Sequence, residues 1–185
     1  MKYLIFLSYI FFISEFLLML VKRSKKSTSK HQKDKGSLVL LWVTISICFT
    51  FGFIFADYSR WNLSHLIMAV IGLLIIIVGL IIRWVAILQL KKAFTVDVAI
   101  GTEQKLKTDG MYKTIRHPSY LGMLMIMIGF AISMNSIMSI LVIVIPMIIV
   151  LLFRISVEET LLLEAFGNQY IEFRSKTKKL IPWLY

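Results

Sequence analysis

The chain has 185 residues, 58% of them hydrophobic and 17% charged, with a formal net charge of +11. A soluble domain carries nearer ~25% charged residues, so this composition leaves little from which to build a water-facing surface around a soluble core. The positive charges flank long apolar runs and are not interleaved with aromatic side chains, which speaks for charge at a membrane edge and against a nucleic-acid partner.

The first apolar run, residues 3–21, is broken only by Ser8, Ser14 and Glu15 and matches the ~20 residues that cross a bilayer as a helix. Lys22-Arg23-Ser24-Lys25-Lys26 follows it where a signal peptide would carry a small-residue cleavage site, so it reads as a retained span. The loop 22–37 holds seven Lys/Arg residues, and its Lys/Ser-rich part reads as a solvated connector. The second run, 38–56, contains Cys48, the lone cysteine, which excludes an intrachain disulfide. The third, 66–90, contains Arg83.

Residues 91–120 differ in character. Asp97, Gly101, Thr102, Glu103, Asp109, Gly110 and Pro118 are turn and loop formers, and a loop longer than a connector needs tends to carry function. The fourth run, 121–134, has 14 residues, short enough for a re-entrant segment. The fifth, 137–153, includes Pro146, where a kink is expected. Met134-Asn135-Ser136 between them predicts a helical hairpin. The fifth helix is predicted to continue into the tail and break near Gly167, and Trp183 and Tyr185 suit the membrane interface.

Eighteen of the 21 Lys/Arg residues fall in 22–37, 91–118 and the tail from 154. With the N-terminus outside, all three basic segments and the C-terminus are cytoplasmic, the positive-inside pattern. The prediction is an all-α integral membrane protein of about five transmembrane helices, with a C-terminal helical hairpin. It divides into a two-helix N-terminal part, 1–63, and a second part, 64–185, that carries the polar clusters.

Two clusters carry chemistry. Gly110-Met111-Tyr112-Lys113-Thr114-Ile115-Arg116-His117-Pro118-Ser119-Tyr120-Leu121-Gly122 precedes the fourth span, and Pro118 suits the first turn of its helix. Arg116 and His117 then stand where helix N–H groups favour a carboxylate or phosphate, or they merely hold the helix end at the headgroups. Arg154-Ile155-Ser156-Val157-Glu158-Glu159-Thr160-Leu161 ends the fifth span, and Arg154 and Glu158 share a helix face. These two form either a surface pair worth ~0.3–0.5 kcal/mol or part of a polar site, because adjacent carboxylates beside an apolar helix need a partner. Together the clusters could meet both ends of an amino-acid zwitterion. A transporter would instead show ionisable residues lining a path, and only Glu15 and Arg83 lie inside the runs, in different spans.

Arg116-His117-Pro118-Ser119-Tyr120-Leu121-Gly122, then Glu158-Glu159-Thr160-Leu161-Leu162, then Phe166-Gly167-Asn168-Gln169-Tyr170 resemble the isoprenylcysteine carboxyl methyltransferase family. Phe94-Thr95-Val96-Asp97-Val98-Ala99-Ile100 and Leu106-Lys107-Thr108-Asp109-Gly110-Met111-Tyr112 fit the family's cofactor loop, although Asp97 stands where relatives carry Gln. The likeness covers about residues 80–185. It implies cytoplasmic cofactor-binding loops for S-adenosyl-L-methionine, and makes 64–185 a membrane methyltransferase catalytic region. Gln104, Lys105, Leu106, Lys107, Tyr112, Arg116, His117, Pro118, Ser119, Tyr120 and Glu158 are implied as cofactor-binding, and Arg154 as the contact to the substrate. No metal is implied, and no G-x-G-x-x-G fingerprint of a Rossmann domain is present.

The sulfonium donor's methyl is already electrophilic, so the protein's task is in-line positioning. A carboxylate acceptor needs no base and could be held by Arg154 through a bidentate pair. A phenol, enol or amine would need a base such as Glu159 or His117. The acceptor class implied is prenyl- or lipid-like, entering from the bilayer: a prenylated cysteine carboxylate, a small lipidic or polyketide-like group, or a phospholipid amine. The short Lys/Ile-rich chain has the look of a bacterial plasma-membrane protein.

Overall fold

The computed structural model describes residues 2–21, 29–32, 36–58, 64–90, 99–101 and 105–181. Among the described residues six helices follow in order: α1 (Lys2–Val21), α2 (Ser37–Tyr58), α3 (His65–Leu90), α4 (Pro118–Ser133), α5 (Ile137–Phe166) and α6 (Asn168–Lys176). A 3-10 turn, Gly110–Lys113, precedes α4. Two short strands, β1 (Ser29–Gln32) and β2 (Ala99–Gly101), pair antiparallel. The sequence reading anticipated no strand and took 22–35 as a connector. The backbone pairs because the two segments follow the ends of α1 and α3, and adjacent extended loops satisfy their N–H and C=O groups on each other.

α2, α3 and α5, with 22, 26 and 30 residues, are long and apolar enough to cross a membrane. The described apolar part of α1, Leu4–Leu18, and the 16-residue α4 are shorter, and α4 at ~1.5 Å per residue falls short of a ~30 Å hydrocarbon core. The outward faces are apolar: Phe6, Val39 and Leu66 are each about two-thirds exposed or more. In water such faces would be a liability; in lipid they are the required surface, while the helices satisfy their own backbone groups. The chain is an integral membrane protein.

Two pairings build the bundle, α3 on α4 and α2 on α5. The first is made by glycines seven apart on each helix. A Cβ on Gly79 would stand 2.8 Å from the Gly122 carbonyl oxygen, and one on Gly129 would stand 2.6 Å from that of Gly72. The two backbones touch, as small residues allow in lipid, where close packing replaces the hydrophobic effect between helices. Gly129→Ala is therefore expected to destabilise the folded chain by about 1–2 kcal/mol, read as a lowered thermal midpoint in detergent; an unchanged midpoint would deny the close approach.

The α2–α5 contact explains how α5 passes Pro146. Proline lacks the N–H that would reach the carbonyl of Val142 four residues back. The buried Cys48 thiol of α2 lies 3.4 Å from that oxygen and 3.8 Å from the Ile143 oxygen, and supplies the missing donor. In the first turn of α5, Ser139 Oγ donates to the Gly52 carbonyl at 2.8 Å. An aromatic cluster ties α1 to these pairs: Phe49 meets Phe130 edge-on at 5.0 Å, and Phe11 lies 6.3 Å from each. α4 ends at Ser133, Asn135 turns the chain with φ 52, and Ser136 caps α5 by accepting from the Ser139 N–H. α5 then runs on past its apolar part to Phe166, as predicted, and Gly167 at φ 51 breaks it from α6.

Glu15 and Arg83, the two ionisable residues inside the apolar runs and in different spans, are a pair. Arg83 Nε and Nη2 lie 2.6 and 2.5 Å from the two Glu15 oxygens, both side chains being buried.

Candidate active site

α4 begins at Pro118, as its fixed φ and missing N–H favour, with His117 as the residue before it. The segment leading in is held from both sides. The Arg116 N–H donates to the Lys178 carbonyl at 2.8 Å, the His117 N–H to the Lys179 carbonyl at 3.2 Å, and the Lys178 N–H to the Thr114 carbonyl at 3.0 Å. The Arg116 guanidinium adds bonds to the carbonyls of Arg174, at 3.1 Å, and Thr177. The tail after α6 thus straps the segment 114–117 against the end of α5.

On α5, one helical turn carries Arg154, Glu158 and Glu159. The imidazole of His117 sits between the carboxylates: Nε2 is 3.4 Å from Glu159 and Nδ1 is 3.6 Å from Glu158. Arg116 Nε donates to Glu159 at 2.9 Å. Tyr120 stacks on His117 with centroids 5.7 Å apart, and its hydroxyl accepts from Arg154 Nε at 3.0 Å. Arg154 Nη1 donates to Ser37 Oγ of α2 at 2.9 Å. The site is therefore a connected polar chain, Arg116–Glu159–His117–Glu158 on one side and Tyr120–Arg154–Ser37 on the other. Most of it is buried; Glu158, with its side chain one-third exposed, keeps an open face.

An imidazole donates from both nitrogens only when protonated. Burial opposes that charge, but hydrogen bonds and charge from Glu158 and Glu159 outweigh it and hold the His117 pKa above its ordinary value. A group with a raised folded pKa contributes stability below its unfolded pKa and loses it as pH rises through the folded one. The thermal midpoint in detergent is accordingly expected to fall as pH climbs above the usual imidazole range of about 6.5, and His117→Asn should flatten that slope. An identical slope in the variant would remove His117 as its source.

The structure brings Arg116, His117, Pro118, Ser119, Tyr120, Arg154, Glu158 and Glu159 together. It also changes one expectation: Arg116 and His117 do not present an open anion site, because their donors face Glu158 and Glu159 and the tail carbonyls. Tyr112 is buried, and its hydroxyl donates to the Ala86 carbonyl at 3.3 Å. Lys105 is exposed and Leu106 partly buried, while Lys107 pairs with Asp109 at 2.8 Å. Gln104 and Asp97 lie outside the described residues. Sequence reasoning missed Ser37, which stands 117 residues from its partner Arg154, and Thr177, whose carbonyl and hydroxyl both accept from Arg116. Tyr170, in the Phe166–Tyr170 motif but without a role there, is fully buried on α6.

A family model described as phospholipid methyltransferase matches residues 67–169, the stretch that runs from α3 through both halves of this cluster. The chain belongs to the phospholipid methyltransferase family. Among curated proteins it is similar to protein-S-isoprenylcysteine O-methyltransferase B of Arabidopsis thaliana, 31% identical over 68% of this chain and 62% of that protein. The corresponding enzyme of Saccharomyces cerevisiae is 29% identical over 74% of this chain and 59% of its own length. Among solved structures it is similar to the eukaryotic intramembrane Ras methyltransferase, an isoprenylcysteine carboxyl methyltransferase. That match has a TM-score of 0.59 and 27% identity, over 79% of this chain and 52% of the other. The chain thus spans about three-fifths of the length of these curated relatives. The likeness to isoprenylcysteine carboxyl methyltransferases read from the motifs holds in sequence and in fold, and α1 and α2 lie outside the matched region of the family model.

Proposed function

We propose that the chain transfers a methyl group from S-adenosyl-L-methionine to the carboxylate of a prenyl- or lipid-like acceptor at the membrane. The observation that carries this reading is the meeting of His117 and Tyr120 with Arg154, Glu158 and Glu159 at one end of the bundle.

The donor set fits the cofactor's methionine end. Glu158 is the carboxylate with an exposed face, suited to an ammonium, and the Tyr120 ring, stacked on His117, offers an aromatic face suited to a sulfonium. When bound, the cofactor supplies a methyl carbon already activated for in-line displacement. Tyr112, Ser119 and Pro118 shape the pocket from the segment before and at the start of α4, with Lys105, Leu106 and Lys107 as its loop side. Arg116 is assigned to the same pocket through Glu159 and the tail strap. Arg154 holds the acceptor's carboxylate, while Tyr120 and Ser37 orient its guanidinium.

The state of His117 favours a carboxylate over an acceptor that must first lose a proton. An imidazolium between two carboxylates is a poor base, and Glu159 is already engaged by Arg116 and His117. Glu159 therefore acts here chiefly by holding His117 in place. A carboxylate arrives ionised and asks for position alone.

The five-span arrangement, with 1–63 as an N-terminal two-helix segment, an outside N-terminus and a cytoplasmic C-terminus, belongs to the same reading, as does a bacterial plasma membrane. The clustering of basic residues supports the orientation. Tags at the two ends are expected to be accessible from opposite sides, and accessibility from one side would remove an odd span count.

The decisive assay uses the purified chain in detergent. Calorimetry is expected to detect S-adenosylhomocysteine, and labelled methyl should pass to S-farnesyl-N-acetylcysteine as a base-labile ester but not to its carboxamide. Label on phosphatidylethanolamine alone would favour the phospholipid-amine reading, and no binding of S-adenosylhomocysteine would end the methyltransferase reading.

A further inference from the structure

We infer that Glu15 and Arg83 are positioning residues for the candidate site, and that α1 acts on it through them. This rests on the methyltransferase reading above.

Arg83 stands two turns before the end of α3. One edge of its guanidinium, Nε and Nη2, is taken by Glu15 of α1, and Nη1 donates to the Ser119 carbonyl in the first turn of α4 at 3.2 Å. Three residues on, the Ala86 carbonyl accepts from the Tyr112 hydroxyl. Three further, Gln89 Oε1 accepts from the Met111 N–H at 3.0 Å. Steps of three keep these groups along one side of the helix, so the last two turns of α3 hold Met111, Tyr112 and Ser119 in sequence. The helices cannot stand apart here, since a Cβ on Gly122 would lie 2.6 Å from the Arg83 nitrogen.

A buried ion pair is a costly way to join two helices. Well-packed apolar side chains of similar volume often do so at no loss of stability. What they cannot do is donate to a carbonyl on a third helix. The planar fork does both, and Glu15 fixes the direction in which its remaining edge points. Glu15 lies outside the region that matches the family model, which gives the N-terminal helix a part in shaping the site.

A merely structural pair and a positioning pair differ in one measurable respect. The full chain in detergent is compared as wild type, Glu15→Leu, the double variant Glu15→Leu with Arg83→Met, and Arg83→Lys. Thermal midpoint, S-adenosylhomocysteine affinity, kcat and KM are read for each. Glu15→Leu alone is expected to lower the midpoint. The double variant should regain it, yet bind S-adenosylhomocysteine about tenfold more weakly, with kcat/KM reduced within the ~10²-fold that a misplacement of about 1 Å can cost. Recovery of midpoint, affinity and turnover together would make the pair structural only and overturn the inference. Should the double variant fail to fold, Arg83→Lys decides: a near wild-type midpoint with weakened affinity supports positioning, and unchanged affinity refutes it. A wild-type chain that binds no S-adenosylhomocysteine would remove the proposed function itself, and with it this inference.

Discussion

Arg154→Ala is expected to lower methyl transfer by roughly two orders of magnitude while S-adenosylhomocysteine affinity stays within a few fold of wild type. The loss of a positioning contact acts on the reacting geometry and not on the binding of the donor. Arg154 is buried, its Nε committed to Tyr120 and its Nη1 to Ser37, so it does not behave as a surface cation worth a few tenths of a kcal/mol. Arg154→Lys should rescue poorly, because an ammonium cannot reproduce a planar fork that holds a hydroxyl, a serine and a carboxylate at once. Tyr120→Phe serves as the control for lost orientation: it removes one support of the guanidinium and keeps the charge. Full turnover in Arg154→Ala would return the residue to a packing role, and good rescue by Lys would point to an acceptor that needs only nearby positive charge.

Removing Glu158 should have the opposite signature. Glu158→Ala, and His117→Ala beside it, are each expected to weaken S-adenosylhomocysteine binding by about 1.5–3 kcal/mol, the range for hydrogen bonds to charged groups. Glu158 is the member of the cluster with an exposed face, and His117 is held against it. Calorimetry on folded variants distinguishes the two, since His117→Ala also frees Glu159 and Arg116 to pair alone and should cost stability as well. The two effects are not additive, because the groups share one network. Wild-type affinity in both variants would place the donor elsewhere.

Much of the membrane architecture is written in hydropathy. Runs of about twenty apolar residues have one low-energy solution in lipid, a helix that pairs its own backbone, and α2, α3 and α5 follow from that alone. The start of α4 at Pro118 and the break at Gly167 follow from equally local chemistry. The motifs around His117 and Glu158 were legible too, because each is contiguous and borders an apolar run.

What sequence by itself determined, then, was which segments are helical, which residues are reactive and which family they resemble; what those residues touch was decided by the tertiary structure. His117 and Arg116 stood between an anion site and a headgroup anchor until the fold set Glu158 and Glu159, some forty positions away, against them. Glu15 and Arg83, in different spans, had no visible link until α1 and α3 came together over a distance of 68 residues. Cys48 had no partner in view until it met the carbonyl released by Pro146. The physical reason is common to all three. Helix formation is decided by hydrogen bonds three or four residues apart, whereas the pairing of buried polar groups depends on which helix faces meet. One such meeting, of α3 with α4, is set by glycines that let the two backbones touch.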